Sequence, residues 1–209
     1  AELLTSAGAT AIRRNGGDWV VSTPAGEFGA GAIVNASGAW ADVVAEMAGV
    51  QGIGIQPLRR TIVVTEVRPE APADLPVVMD AGGSLYFKPD GGRLWISPHD
   101  ETPDIAHDGQ PDEMDLAIAL DRFEQMCDWP ISRLASKWAG LRNFAPDRLP
   151  VLGPEPSQPA FHWCAGQGGW GIQTAPAASA IAAAHILQQP APPPYGAIDA
   201  GTYLPDRLR

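Results

Sequence analysis

Arg142 ends the run Trp138-Ala-Gly-Leu-Arg142, where a guanidinium stands at the end of an apolar strand. A planar fork of N–H groups there can hold a carboxylate through two parallel hydrogen bonds, and a surface ion pair is the plainer alternative. Tyr86 lies in the apolar strand Leu-Tyr-Phe-Lys-Pro, as a sheet tyrosine or as a group facing a ligand. Arg59 and Arg60 alternate faces in a third strand, so only one of them can point into a given site. The fourth feature is a glycine turn. Phe161 to Ala165 is a short apolar run, followed by Gly166, Gly168, Gly169 and Gly171 and then by a stretch of small residues to Leu187. Strand, glycine turn and small-faced helix make a place where backbone N–H groups can face an anion or a polarised ring. An ordinary tight turn is the plainer reading.

Other chemistries find no support. There is no N-terminal strand leading into Gly-x-Gly-x-x-Gly with an acidic residue for a ribose, no phosphate-binding Walker loop and no Gly-x-Ser-x-Gly. His99, His107, His162 and His185 lack metal-ligand spacing, and Cys127 and Cys164 are too far apart for a zinc site, so no metal is expected. Trp40, Trp138 and Trp170 read by default as packing residues.

The elements that must position these groups follow from pattern. Residues 1–14 suggest the tail of a helix and a short strand. Trp19–Ser22 and Phe28–Ala30 form a hairpin around Pro24-Ala25-Gly26. Residues 31–37 read as a buried strand running into Gly38, with a helix from Trp40 to Ala48, which makes a second strand–glycine–helix junction. Arg59–Val67 is rich in β-branched residues and reads as a strand. Ser84–Lys88 and Arg93–Ser97 flank Pro-Asp-Gly-Gly, a hairpin signal. Asp112 can cap a helix to about Cys127, with Met114, Ala117, Ile118 and Phe123 on its apolar stripe. Arg133–Asn143 is a further strand. Thr174 can cap a helix over Ala175–Leu187, whose first turn tolerates Pro176. The proline-rich tail after Gln188 should be extended and wrap the surface. The order predicts an α+β chain: a mixed or antiparallel sheet domain over 51–137 with flanking helices, interrupting a subdomain over 1–50 and 138–209 whose two strand–glycine–helix junctions would suit a nucleotide.

The 209 residues carry a formal net charge of −10, which argues against nucleic acid or an anionic membrane as partner. No apolar run is long enough for a transmembrane span. Two cysteines in apolar contexts read as buried thiols, and with no visible signal peptide a cytoplasmic location is expected. The absence of an initiator Met suggests a processed or truncated product.

The segments Asn-Ala-Ser-Gly-Ala-Trp-Ala-Asp, Pro-Leu-Arg-Arg, LYFKPDGG, SPHDETP, KWAGLRNFAPDRLPVLG and CAGQGGWGIQTAP occur in an order that resembles the FAD-dependent D-amino-acid oxidase and dehydrogenase family. The likeness is greatest to its D-arginine dehydrogenase type and covers essentially the whole chain. The resemblance implies a flavoprotein in which Ala36, Ser37, Gly38 and Trp40 line the FAD region and Ala9 lies near the adenosine part. It implies that Gly168, Gly169, Trp170, Gly171, Ile172 and Gln173 lie beside the flavin ring. Arg142 corresponds to a carboxylate-binding residue, Tyr86 to a substrate contact and Arg59 to another substrate-side arginine. No side chain is assigned a catalytic role, because the flavin carries the chemistry. The family's glycine fingerprint is missing, so the chain is expected to be the C-terminal portion of a longer enzyme, with part of a Rossmann-like domain. Alone it should be colourless, without FAD and inactive, its partners being a small amino acid or amine and an N-terminal FAD-binding segment or subunit. The rival expectation is a non-catalytic domain that binds a ligand or partner, or one subunit of a two-chain flavoenzyme.

Overall fold

The computed structural model describes residues 1–209. In chain order its strands and α-helices are β1 (Ala11–Asn15), β2 (Asp18–Thr23), β3 (Gly26–Ala30), β4 (Ile33–Asn35), α1 (Ala41–Met47), β5 (Gln56–Val67), β6 (Val78–Met79), β7 (Tyr86–Asp90), β8 (Arg93–Ser97), β9 (Thr102–Pro103), α2 (Glu113–Met126), β10 (Ile131–Phe144), β11 (Val151–Glu155), β12 (Gln158–Ala165) and α3 (Gly171–Leu187). The chain divides into two compact units, one of residues 1–56 with 143–209 and one of residues 57–142.

In the first unit, β1, β2 and β3 form an antiparallel meander, and a second sheet has the order β11-β12-β4. β12 pairs antiparallel with β11 but parallel with β4, with Phe161 opposite Ile33 and Trp163 opposite Asn35. Trp19, Phe161 and Trp163 are fully buried and meet edge to face, and Ala41 and Ala45 of α1 close the same core. Each large side chain so buried contributes on the order of 1.5–3 kcal/mol. Asn35 is buried with its amide satisfied: Nδ2 donates to the Ala41 carbonyl and Oδ1 accepts from the Ser37 hydroxyl. These bonds hold the turn that starts α1.

The second unit is a six-stranded sheet in the order β10-β5-β8-β7-β6, with β9 also on β5. The hairpin of β7 and β8 closes through Gly91 and Gly92, with Asp90 opposite Arg93, so Pro89 and Asp90 belong to the strand and not to the turn. α2 packs on one face, where Leu116, Ala119 and Phe123 meet Val63, Phe87, Leu94 and Ile96. Asp112 caps it, its carboxylate accepting from the Met114 amide at 2.8 Å.

Several expectations need correction. No helix precedes β1, because residues 1–10 have too few apolar positions to bury one. The buried stripe of α2 is Leu116, Ala119 and Phe123, while Met114 is exposed at its first turn. α3 starts at Gly171, a turn before Thr174, whose hydroxyl donates back to the Trp170 carbonyl instead of capping. The tail after Gln188 is not simply extended: short 3-10 turns at Tyr195–Ala197, Ala200–Tyr203 and Pro205–Leu208 fold it onto its unit.

That last turn is tied down by arginines. Arg207 pairs with Asp147 and donates to the Leu149 and Pro150 carbonyls. Arg209 pairs with Glu155, whose side chain is 3% exposed and also accepts from Trp163 Nε1 at 3.0 Å. Burial raises the Glu155 pKa, but the bonds from Trp163, Arg209 and Ser157 outweigh it and hold the carboxyl below its ordinary value. Removing one partner of a buried ion pair leaves the other charge uncompensated. Arg209→Ala should therefore lower the unfolding free energy by about 3–5 kcal/mol in urea titration. Adding Glu155→Gln should recover part of that loss, and full additivity of the two changes would show that the pair does not act as one.

Candidate functional site

Two groups of candidate residues lie in separate units. The first follows from the parallel pairing of β4 with β12. Parallel neighbours end at the same sheet edge, so the turn after Asn35 and the turn after Ala165 emerge side by side. Ala36, Ser37, Gly38 and Trp40 form the first turn and Gly168 to Gln173 the second. Gly38 has φ +61°, and a Cβ there would meet only the Asn143 amide at 3.4 Å. Gly168 has φ +55°, and a Cβ there would fall 2.4 Å from the Phe144 ring. Its amide donates to the Asn143 carbonyl at 2.8 Å. This glycine therefore packs the turn against the end of β10.

The first turn of α3 has amides with no intrahelical acceptor. Beside it Trp170 is 54% and Ile172 96% exposed, with Gly171 and Gln173. Gly169 belongs to the same turn. Ala9 lies just before β1, half-buried. These residues fit a flat, polarised ring system with an electronegative edge: open N–H donors at a helix N-terminus, and an indole and an aliphatic side chain next to them.

The second group depends on strand alternation in the six-stranded sheet. Odd residues of β5 point to α2, since Val63 pairs with Ile96 in that core. Arg59 points the same way and is taken by Asp115 of α2 at 3.0 Å and by Asp104 at 3.6 Å. Arg60 points to the other face. It is 4% exposed and lies 5.9 Å from the Tyr86 ring centroid. Asp100 positions it: the carboxylate accepts from the Thr61 amide and hydroxyl, in the gap of β5 between its β8 and β9 pairings, and the Asp100 carbonyl accepts from Arg60 Nε at 2.7 Å. His99, at φ +56°, packs edge to face on Tyr86 at 5.5 Å. Burial, and next the charge of Arg142, lower the Arg60 pKa below its ordinary value. Arg60 Nη1 is buried without a hydrogen-bond partner.

The structure thus brings together Arg60, Arg142 and Tyr86, and sets Arg59 against two carboxylates of its own unit. Arg60 is the residue the sequence reading did not single out. The available signal was the register: the apolar partner of α2 at Val63 fixes odd residues as core-facing and even residues as the opposite face.

A cationic pair beside a tyrosine thus lies on one sheet, with Arg60 its buried member, and paired strand–glycine–helix turns lie in the other unit. Residues 1–185 match the family described as DAO, FAD dependent oxidoreductase, and the chain belongs to that family. It is 31% identical over 179 residues to mitochondrial dimethylglycine dehydrogenase of Mus musculus, covering 76% of this chain and 20% of that protein. It is also 31% identical over 157 residues to the hydrogen cyanide synthase subunit HcnC of Pseudomonas aeruginosa, covering 73% of this chain and 36% of that protein. Among solved structures, glycine oxidase from Geobacillus kaustophilus superposes with a TM-score of 0.77 at 25% identity, over 94% of this chain and 51% of that one. L-proline dehydrogenase from P. horikoshii shares the fold with a TM-score of 0.77 at 23% identity, over 96% and 53%.

These matches correct the expectation of a C-terminal remnant with part of a Rossmann-like domain, colourless and inactive without FAD. The family's α+β fold runs through nearly the whole chain, since the family match reaches from residue 1 to residue 185 and the structural likeness covers 94%. The expectation took a single glycine fingerprint as the measure of the cofactor fold, whereas the paired turns and the sheets carry the likeness. FAD belongs to the description of this fold, and nothing in the matches points to a separate FAD-binding subunit. The chain spans about half the length of the solved structures it matches, and between about a fifth and a third of the curated relatives. No helix is long and apolar enough to cross a membrane.

Gly168→Ala should destabilise the first unit by about 2–4 kcal/mol, from the positive φ and from the overlap with Phe144. Urea unfolding measures it. In a Phe144→Leu background the overlap should shrink and the second change should cost less, so strictly additive losses would refute the contact.

Proposed function

We propose that this protein oxidises an amino acid or related amine with FAD as its electron acceptor, and that the substrate carboxylate sits between Arg60 and Arg142 beside Tyr86. One observation carries the reading. Arg60 is almost wholly buried with Nη1 left without a partner, although Asp100 and Glu101 reach its other nitrogens at 3.9 and 3.4 Å, and the charge of Arg142 bears on it. A buried donor left unpaired beside a second guanidinium favours a further anion there. A carboxylate has the charge and the fork-matching geometry for that place.

The division of labour follows. Arg60 and Arg142 fix the carboxylate end, which leaves the Cα and its nitrogen in a defined position. Tyr86 closes one side, itself backed by His99. FAD, when bound, supplies the two-electron acceptor for the C–H bond next to nitrogen. Ala36 to Trp40 and Gly168 to Gln173 would hold it, with the α3 N-terminus placed to stabilise negative charge on the ring. The relatives named dimethylglycine dehydrogenase and glycine oxidase have small amino acids or N-methyl amino acids in their names, and that class is the first to test here.

Steady-state kinetics on FAD-loaded protein, comparing an amino acid with its decarboxylated amine, tests the assignment. Arg142→Met and Arg60→Met should each cost roughly tenfold to 150-fold in kcat/KM for the amino acid, from the loss of hydrogen bonds to a charged group. They should cost little for the amine. Arg142→Lys should rescue only in part, because an ammonium cannot make the two-pronged contact. Arg59→Met should leave the preference for the amino acid intact. Equal losses on both substrates would make the arginines structural and sink the proposal.

A further inference from the structure

We propose that the segment Ala200–Leu204 is a proton-released strap, docked on the β11–α3 layer beside the buried imidazole of His162 and the ring of His185, and freed when His162 takes up a proton. The observations come from one corner of the first unit. His162 of β12 is 7% exposed, and its Nδ1 is buried with no partner. His185, in the last turn of α3, has its Nε2 buried with no partner. His162 stands opposite Pro154 in the strand register, next to Gly153. A Cβ on Gly153 would fall 3.5–3.6 Å from the His185 ring and 2.6 Å from Leu204 Cδ2. The side chain of the strap and one imidazole therefore press on the same bare strand position. Ala200 and Tyr203 complete the apolar layer with Leu152, Ala178, Ile181 and Ala182.

No free carboxylate is at hand to stabilise a proton on His162. α3 contains no Asp, Glu, Lys or Arg, and β4 contains none. On β11 the only charged group is Glu155, which is taken by Arg209, Trp163 and Ser157. On β12 the other titratable group is the Cys164 thiol, which burial pushes up. In the tail, Asp199 accepts from the Gly201 amide and the Thr202 hydroxyl, and Arg207 holds Asp147; Tyr195, Tyr203 and the exposed Asp206 complete the set. Burial, and next the charge of His185, lower the His162 pKa from its ordinary 6.5. The sign follows. A group whose folded value is lowered favours the docked, neutral state above its ordinary value, and that contribution is lost as pH falls through and below it.

The strap is the element that can yield. α3 and the strands carry continuous backbone hydrogen bonds, whereas Ala200–Leu204 is a single 3-10 turn. Its anchors farther on, Arg207 with Asp147 and Arg209 with Glu155, use carboxylates held below their ordinary values, so they persist while His162 titrates. Tyr203 also lines a cavity of about 200 Å³ with Trp170, Gln173 and Thr174 of the α3 N-terminal turn. Release would thus loosen the wall behind the turn assigned to the flavin.

Amide hydrogen exchange read by mass spectrometry tests this on the full chain, as protection factors corrected for the intrinsic pH dependence of exchange. Between about pH 8 and about pH 5.5 the protection of 200–204 should fall at least roughly tenfold, the effect of one net proton over one pH unit. The strands β11 and β12 should keep theirs. His162→Asn should flatten the response. Leu204→Ala, which weakens docking without touching an imidazole, should move it to higher pH. Unchanged protection of 200–204 in the native chain, the same pH response in His162→Asn, or loss of protection across the whole unit together would overturn the proposal.

Discussion

The parallel pairing of β4 with β12 is the interaction on which the cofactor side depends. It spans only three residue pairs, and a parallel ladder of that length does not stand alone. It persists because both strands feed a core of Trp19, Phe161 and Trp163, and because Asn35 hydrogen-bonds to the turn that leaves β4. Given the pairing, two glycine turns far apart in sequence must open at one sheet edge. Gly168 then seats its turn on Phe144, where no other residue would leave room. The long separation between the two turns is filled by the second unit, so local order and long-range closure are set by different parts of the chain.

In the second unit the corresponding constraint is the register of β5. Its odd residues meet α2, which fixes Arg59 on the face with Asp104 and Asp115 and Arg60 on the other. Neighbouring arginines of the same type thus have opposite fates. One is paired with Asp104 and Asp115. The other is buried, reaches Asp100 and Glu101 at 3.9 and 3.4 Å, stands near a second guanidinium and keeps one donor without a partner. With a formal net charge of −10 on the protein, the positive charge here is a local feature. Asp100 shows how such a site is supported: its carboxylate fills a gap in the β5 ladder, and its carbonyl aims Arg60.

Family membership places the chain among FAD-dependent oxidoreductases. The missing glycine fingerprint weighed heavily in the sequence reading because it is the most recognisable piece of a dinucleotide fold. The family match nonetheless runs from residue 1 to residue 185, and the structural likeness covers 94% of the chain.

The sequence by itself determined the elements whose cause is local. Alternation and β-branching set β5, the two-glycine turn set the β7–β8 hairpin, and Asp112 set the start of α2. It also put forward Arg142, Tyr86 and the Gly168–Gln173 turn as candidates, from residue type and neighbours. The tertiary structure alone decided which arginine of the pair faces Tyr86, since that depends on which sheet face α2 covers. It decided that Leu116, Ala119 and Phe123 form the buried stripe of α2, since several helical faces were apolar enough to serve. It decided the burial of Glu155, His162 and His185, whose partners lie on strands and turns distant in sequence. The physical reason is common to all three. Side-chain periodicity fixes which residues share a face, but only long-range packing fixes what that face meets.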